Sequence, residues 1–150
     1  MMIISNLRSV RAFAKTVADR AWYEWWTNTD VSLAEYRSGI ERMVDGDDDA
    51  IPSALVAHIG KQYAGSVLLI DNDLETRPQY SPWIAALWVE PEFRRQGVAG
   101  ELIEAARGQA ARLGHGTCYL CATPTNSPYY LARGFRLLEP GVDGLDVFAI

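Results

Sequence analysis

The stretch from Trp83 to Gly100 limits more than any other how this chain can fold. Trp83-Ile84-Ala85-Ala86-Leu87-Trp88-Val89 is apolar at every position, as suits a strand buried on both faces. Glu90-Pro91-Glu92-Phe93 and the turn Arg94-Arg95-Gln96-Gly97-Val98-Ala99-Gly100 come next. A helix is then predicted over residues 98–113, with Leu102, Ile103, Ala106, Ala110 and Leu113 inward and Gly114 as its C-terminal stop. Residues 118–123 have strand character again. Strand, helix and strand make a right-handed crossover, which sets the two strands parallel.

Upstream, Val10, Phe13, Ala14, Val17, Ala21 and Trp25 recur at helical spacing over residues 10–25, preceded by a short strand at 2–4. A second helix is expected behind an N-cap at Asp30 or Ser32, with Glu35 in its first turn and Leu33, Tyr36, Ile40 and Met43 on one side. Residues 54–59 and 63–70 read as a hairpin around Gly60-Lys61, followed by a polar loop to Pro82. After residue 123 the pattern predicts a short helix at 127–133 and closing strands at 134–138 and 145–150.

The chain has 150 residues, 49% of them hydrophobic, enough for one domain spanning residues 1–150 with its own core. Its formal net charge of -5 argues against nucleic acid as a partner and leans toward cationic ones such as amines. The longest apolar run, Trp83 to Val89, is far short of the ~20 residues a bilayer crossing needs. The first ten residues carry no apolar stretch of the secretory kind, so a cytoplasmic protein without a membrane partner is expected.

A turn that passes from a buried strand into a helix aims unpaired N–H groups and the positive end of the helix dipole at one spot, which binds anions. Gly97, Ala99 and Gly100 are small where a diphosphate needs close backbone approach, and Arg94 and Arg95 add charge at the rim. By composition alone the same turn also suits an ordinary strand-to-helix connection. It lacks the Gly-Lys-Ser/Thr ending of a P-loop and the Gly-x-Gly-x-x-Gly of a dinucleotide fold.

Other features point to structure rather than chemistry. Cys118 and Cys121 fall in one strand, facing opposite ways, and no second pair exists to complete a zinc site. Asp45-x-Asp47-x-Asp49 imitates the start of a calcium loop but continues with Ala50 and Val56 where glycine and glutamate are needed, so no metal is expected. His58 and His115 have no nucleophile near them in sequence.

The run from Leu87 to Gly100 resembles the Arg-x-x-Gly-x-Gly/Ala motif of the GNAT acetyltransferase superfamily, with Arg94, Gly97 and Ala99 at its fixed positions. Tyr129-Tyr130-Leu131-Ala132-Arg133-Gly134-Phe135 is similar to that family's later Tyr-x-x-x-Gly-Phe motif. The order of elements matches from the first helix onward. Residues 73–78 with Ser81-Pro82-Trp83 resemble a subgroup of small bacterial members. The stretch 123–130 is shorter than the family's usual Asn-containing loop, and Ala99 replaces the second glycine.

The resemblance implies an α/β (α+β) fold, with a mixed, twisted sheet of about six to seven strands, splayed between its two central parallel strands and flanked by about four helices. It implies an N-acetyltransferase that carries an acetyl group from acetyl-CoA to a primary amine of a small molecule or peptide, by direct attack in a ternary complex. The alternative is a non-catalytic module that binds or senses acyl-CoA. Cosubstrate contacts would come from Leu87, Trp88, Val89, Arg94, Arg95, Gln96, Gly97, Val98, Ala99, Gly100 and Asn126. Tyr130 takes the place of the acid that protonates the leaving thiolate. Glu90 is the first candidate for the base, with Asp73, Glu24 and Glu92 behind it. One of Trp22, Trp25 and Trp26 is a candidate for the acceptor pocket, and a homodimer is an expected state because dimers are frequent among similar proteins.

Overall fold

In a computed structural model describing residues 1–47 and 50–150, the strands are β1 (Ile3–Asn6), β2 (Ser53–Ile59), β3 (Gln62–Ile70), β4 (Trp83–Val89), β5 (Tyr119–Ala122), β6 (Arg136–Val142) and β7 (Leu145–Ala149). They form one seven-stranded sheet in the order β1-β2-β3-β4-β5-β7-β6. Every neighbouring pair is antiparallel except β4 and β5, which are parallel. The helices are α1 (Ala14–Trp25), α2 (Leu33–Val44), α3 (Val98–Arg112) and α4 (Ser127–Ala132). This is the mixed, helix-flanked architecture expected from sequence, with β7 inserted between β5 and β6.

Alternation along the strands divides the core between the two faces of the sheet. Ile84, Val89, Leu120 and Ala122 point toward α3 and pack with its Val98, Leu102, Ile103 and Ala106. Ala85 points the other way, into a cluster with Val17 and Ala18 of α1 and Ile40 and Val44 of α2. Further along that second face, Trp83 packs with Leu74, Val142 and Val147. Cys118 falls in the α3 cluster and Cys121 beside the Trp83 cluster, so the two thiols do face opposite ways.

The first helix and the strand after residue 133 differ from the sequence reading. The first helix begins at Ala14, because Asn6 caps a single 3-10 turn at Leu7–Ser9 and Val10 takes a φ of -134° before a second turn at Arg11–Phe13. Its last residue, Trp25, is 45% exposed rather than packed. The strand expected at 134–138 runs on to Val142 through Pro140 and Gly141. β6 is an edge strand, where a missing N–H breaks no inner ladder, and register shifts at Leu137/Glu139 and Glu139/Val142 absorb the irregularity.

Ser32 caps α2, its side chain accepting the Glu35 N–H at 3.0 Å. Asp48 and Asp49 of the acidic run lie outside the described residues, while Asp45 pairs with Arg11 at 2.5 Å. Among the described residues no three potential ligands gather around a metal position, and no helix is long and apolar enough to cross a membrane. His58 is tied into the sheet, its Nε2 2.9 Å from Ser5 Oγ and its Nδ1 2.8 Å from Gly60 O.

Candidate active site

The centre of the sheet is open. β4 and β5 share one registered pair, Trp83 with Tyr119, and beyond it the strands diverge. The cause lies on the other side of β4: Leu68 faces Ala85 and Ser66 faces Trp88, so three steps on β4 span two on β3. The extra residue is a bulge at Ala86 and Leu87, and Ala86 takes a φ of 50°, a left-handed conformation held by the surrounding sheet. Bending β4 here turns it from β5 and leaves an unpaired backbone edge inside the molecule. Leu87 lies on the α3 side and Trp88 on the other, with Val89 buried again toward α3.

The opened edge leads to the N-terminus of α3. Gly97 is its N-cap with φ 84°, which a residue bearing a Cβ adopts only with strain, and no side chain caps the helix. The first N–H groups, on Val98, Ala99 and Gly100, therefore keep their donor capacity. Arg94 stays close to the strand: its Nε donates to Val89 O at 2.8 Å and its guanidinium lies 4.8 Å from the Trp88 ring centroid. Arg95 is exposed with φ 62°, and Gln96 Nε2 donates to Glu92 O at 3.1 Å.

Arg133 is a residue that sequence reasoning missed. Its guanidinium sits on the first turn of α3, in the space that a Cβ on Gly100 would fill, with Nη1 2.3 Å from that ideal position. It also lies 4.8 Å from the centroid of the Tyr129 ring. A cation held against the positive end of a helix leaves a concentration of positive charge that an anion relieves. The only hint in sequence was the arginine preceding Gly134-Phe135.

Tyr130 packs its ring against Phe135, 5.4 Å between centroids, and Phe148, 6.1 Å, under the α3 side of the sheet. Burial, with Tyr129 and Cys121 adding to it, pushes its phenol up to about 12. Asn126 precedes α4 with an exposed side chain that caps nothing.

On the opposite face, Glu90 sits at the end of β4, where Arg20 of α1 donates its Nε to the carboxylate. The base placed first in the sequence reading is thus already paired with a cation. Asp73 differs: Cys121 Sγ donates to its Oδ2 at 3.3 Å, linking the loop after β3 to β5 across the bent strand. Desolvation raises the Asp73 carboxyl, and burial with the Asp73 charge pushes the Cys121 thiol up to about 12. Glu24 and Glu92 are exposed. Of the three tryptophans, Trp22 donates to Val31 O at 2.8 Å and braces the α1–α2 loop, and Trp26 lies 5.7 Å from the Tyr36 ring centroid.

Two open hollows, of about 490 Å³ beside Arg77, Glu139 and Asp143 and about 550 Å³ beside Glu35 and Arg42, lie away from the bent strand. Tyr130 lies on the α3 face of the parted strands, and Cys121 with Asp73 on the other.

A family model for the acetyltransferase (GNAT) domain matches residues 52–137, more than half of the chain. No curated protein matches it. Among solved structures, an aminoglycoside 6'-N-acetyltransferase complexed with coenzyme A superposes with a TM-score of 0.74 at 16% identity, over 99% of this chain and 96% of that one. Glucosamine-6-phosphate N-acetyltransferase from Arabidopsis thaliana gives 0.68 at 16%, over 95% and 96%. An acetyltransferase from Streptococcus agalactiae 2603 gives 0.71 at 15%, over 99% and 96%. At such identities the likeness is one of fold.

Proposed function

Because the chain belongs to the GNAT acetyltransferase family, we propose that it transfers an acetyl group from acetyl-CoA to a primary amine of a small molecule or peptide, by direct attack with both substrates bound. The observation that carries this reading is the internal edge of β4, opened by the bulge at Ala86 and Leu87 and ending at an uncapped helix N-terminus.

Coenzyme A suits these residues on two counts. The donors of Val98, Ala99 and Gly100, with Arg133 against them and Arg95 at the rim, form a cradle for a diphosphate. The amide-bearing arm of the cosubstrate can take the hydrogen bonds that β5 does not make to Leu87, Trp88 and Val89. Arg94, tied to Val89 O, holds the turn at the mouth of that edge, and Gln96 tightens it through Glu92. Asn126, with its side chain unused by the fold, faces solvent near α4 and is assigned to the same ligand.

The cosubstrate supplies an acetyl thioester; the protein's groups position it and move protons. An amine of pKa near 10 is mostly protonated at neutral pH and must lose a proton before its lone pair can form the C–N bond. A backbone N–H of β4 in the stretch Leu87 to Val89 is suited to steady the negative charge that develops on the carbonyl oxygen, since beyond Trp83 the strand has no register partner on β5. As the C–S bond breaks, Tyr130 donates its phenolic proton to the sulfur. The second proton from nitrogen passes to solvent, which balances the step and restores Tyr130.

The test is direct. The purified protein is incubated with acetyl-CoA and a panel of primary amines, and release of free thiol is followed. Amine-dependent release supports the reading. Saturable acetyl-CoA binding without release with any amine would replace it with a binding or sensing module.

A further inference from the structure

The face of the sheet opposite α3 carries two separate apolar clusters. One lies under α1 and α2, and the other is built around Trp83, Leu74, Val142 and Val147. Ile70 touches both, and between them β4 and β5 present the bulge at Ala86 and the thiol of Cys121. Asp73 stands over this seam. Its side chain stays open to solvent while enough protein surrounds it to raise its carboxyl, as happens for a group lining a cleft.

Asp73 differs from the carboxylates that form ion pairs. Asp19, Asp45, Glu90, Glu104 and Glu139 are each paired with an arginine. Asp73 has no arginine or lysine within 4.0 Å among the described residues, and the partner it does have is a neutral thiol. Arg77 on the same loop is committed to Glu139 through two bonds of 2.8 Å. Tyr36 of α2 faces the carboxylate closely enough for its charge to help raise the phenol, and Trp26 backs that ring. A carboxylate without a cation beside an aromatic wall is suited to receiving one.

Position relative to the acid matters as much. Tyr130 lies on the α3 side of the parted strands and Asp73 on the other, bonded to Cys121 of β5. Base and acid thus flank the gap where the thioester would lie, as direct transfer needs.

Resting on the acetyl-transfer reading above, we propose that the acceptor is a small alkylammonium compound, and that Asp73 pairs with its ammonium and accepts its first proton. The neutral nitrogen then attacks the thioester carbon, the C–N bond forms, the C–S bond breaks and sulfur takes the proton of Tyr130; the second proton of the nitrogen returns through solvent to the Tyr130 phenolate, and Asp73 releases the first to solvent. Acceptors bearing a carboxylate next to the amine are disfavoured, because Asp73 repels it and Arg77 of the same loop is already engaged.

The experiment uses pentylamine as the ammonium probe and aniline, neutral at pH 7, as its counterpart, with wild type, Asp73→Asn, Asp73→Glu and, on the same loop, Asp71→Asn. Asp73→Asn is expected to lose about 100-fold or more in kcat/KM for pentylamine. Asp73→Glu recovers part of that loss and Asp71→Asn matches wild type. Acetyl-CoA raises the melting temperature of all four alike. The pH profile of wild type has an acid limb set by the Asp73 carboxyl; in Asp73→Asn that limb is gone and the rate follows only the rise in neutral amine. The groups facing that carboxyl are Tyr36 from α2 and Cys121 from β5, with Asp71 and Glu75 on its own loop.

Activity of Asp73→Asn within about threefold of wild type, or survival in it of the wild-type acid limb at the same pH, overturns the proposal. So does acetylation of aniline but not pentylamine, or of neither while acetyl-CoA still stabilises the fold. Failure of acetyl-CoA to bind strikes instead at the acetyl-transfer reading. Should Asp73→Asn not fold, Cys121→Ser decides: a hydroxyl donates more strongly to the ionised carboxyl, so the limb must move to lower pH, and an unmoved limb removes Asp73 as its origin.

Discussion

A phenol raised to about 12 looks at first like a poor acid for a thiolate. Burial, the cause that raises the phenol, disfavours a departing thiolate as well. A sulfur leaving into the same surroundings is made more basic, so donor and acceptor stay close in proton affinity. Replacing Tyr130 with Phe is therefore expected to lower kcat by about 100-fold while leaving the Kd for acetyl-CoA within about twofold, measured by steady-state kinetics and titration. Unchanged turnover would take Tyr130 out of the chemistry. Glu90 contrasts with it. Its side chain is 13% exposed and meets an Arg20 side chain that is 41% exposed, a pair that anchors α1 to the end of β4. Glu90→Gln should cost about 1 kcal/mol or less in urea unfolding, since the freed arginine rehydrates, and should lower kcat far less than Asp73→Asn. A larger catalytic loss in Glu90→Gln than in Asp73→Asn would return the base to Glu90.

Among the elements, α3 is the one to which the proposed function assigns the cosubstrate's diphosphate. Gly97→Ala places a Cβ at φ 84° and should cost about 1 kcal/mol in stability, with an affinity loss for acetyl-CoA of up to about tenfold as the donors of the first turn shift. Arg133→Ala should raise the KM for acetyl-CoA by about tenfold, more than it lowers kcat, because a charge-assisted contact to phosphate is lost. An unchanged KM would reduce Arg133 to a cover for Tyr129. The strand, turn and helix that make this cradle could be seen in the chain because their signals are local: an unbroken apolar run, small residues at the turn, and a 3.6-residue period. The bulge could not, since Ala86 carries none of the glycine that usually marks a left-handed backbone, and pairing register is a property of two strands. Nor could the seating of Arg133 on Gly100 or the bond between Asp73 and Cys121, 48 residues apart, because nothing local in sequence ties such partners together. Glu90 was ranked above Asp73 because its place beside the strand was visible and its arginine, 70 residues upstream, was not.

At the scale of the molecule, the proposed reading has the two substrates approach a thin sheet from different sides and meet at its parted centre. The proposed phosphate cradle belongs to α3 and α4, which pack on one face, while the proposed acceptor seam lies on the face covered by α1 and α2. Cosubstrate binding should therefore bridge elements that otherwise touch little across the gap between β4 and β5. A ligand that binds only the folded state adds about 2.7 kcal/mol at 100 times its Kd. For a domain of this length that is a rise in melting temperature of roughly 5–10 °C. Because the cradle works through helix donors and arginines on a chain of net charge -5, the rise at a fixed acetyl-CoA concentration should shrink as salt is raised from about 0.05 to 0.5 M. An acetyl thioester of cysteamine, which lacks the phosphates, should produce almost none of it. Equal stabilisation by that truncated thioester would mean that the strand edge alone holds the cosubstrate and that the α3 N-terminus is only a turn.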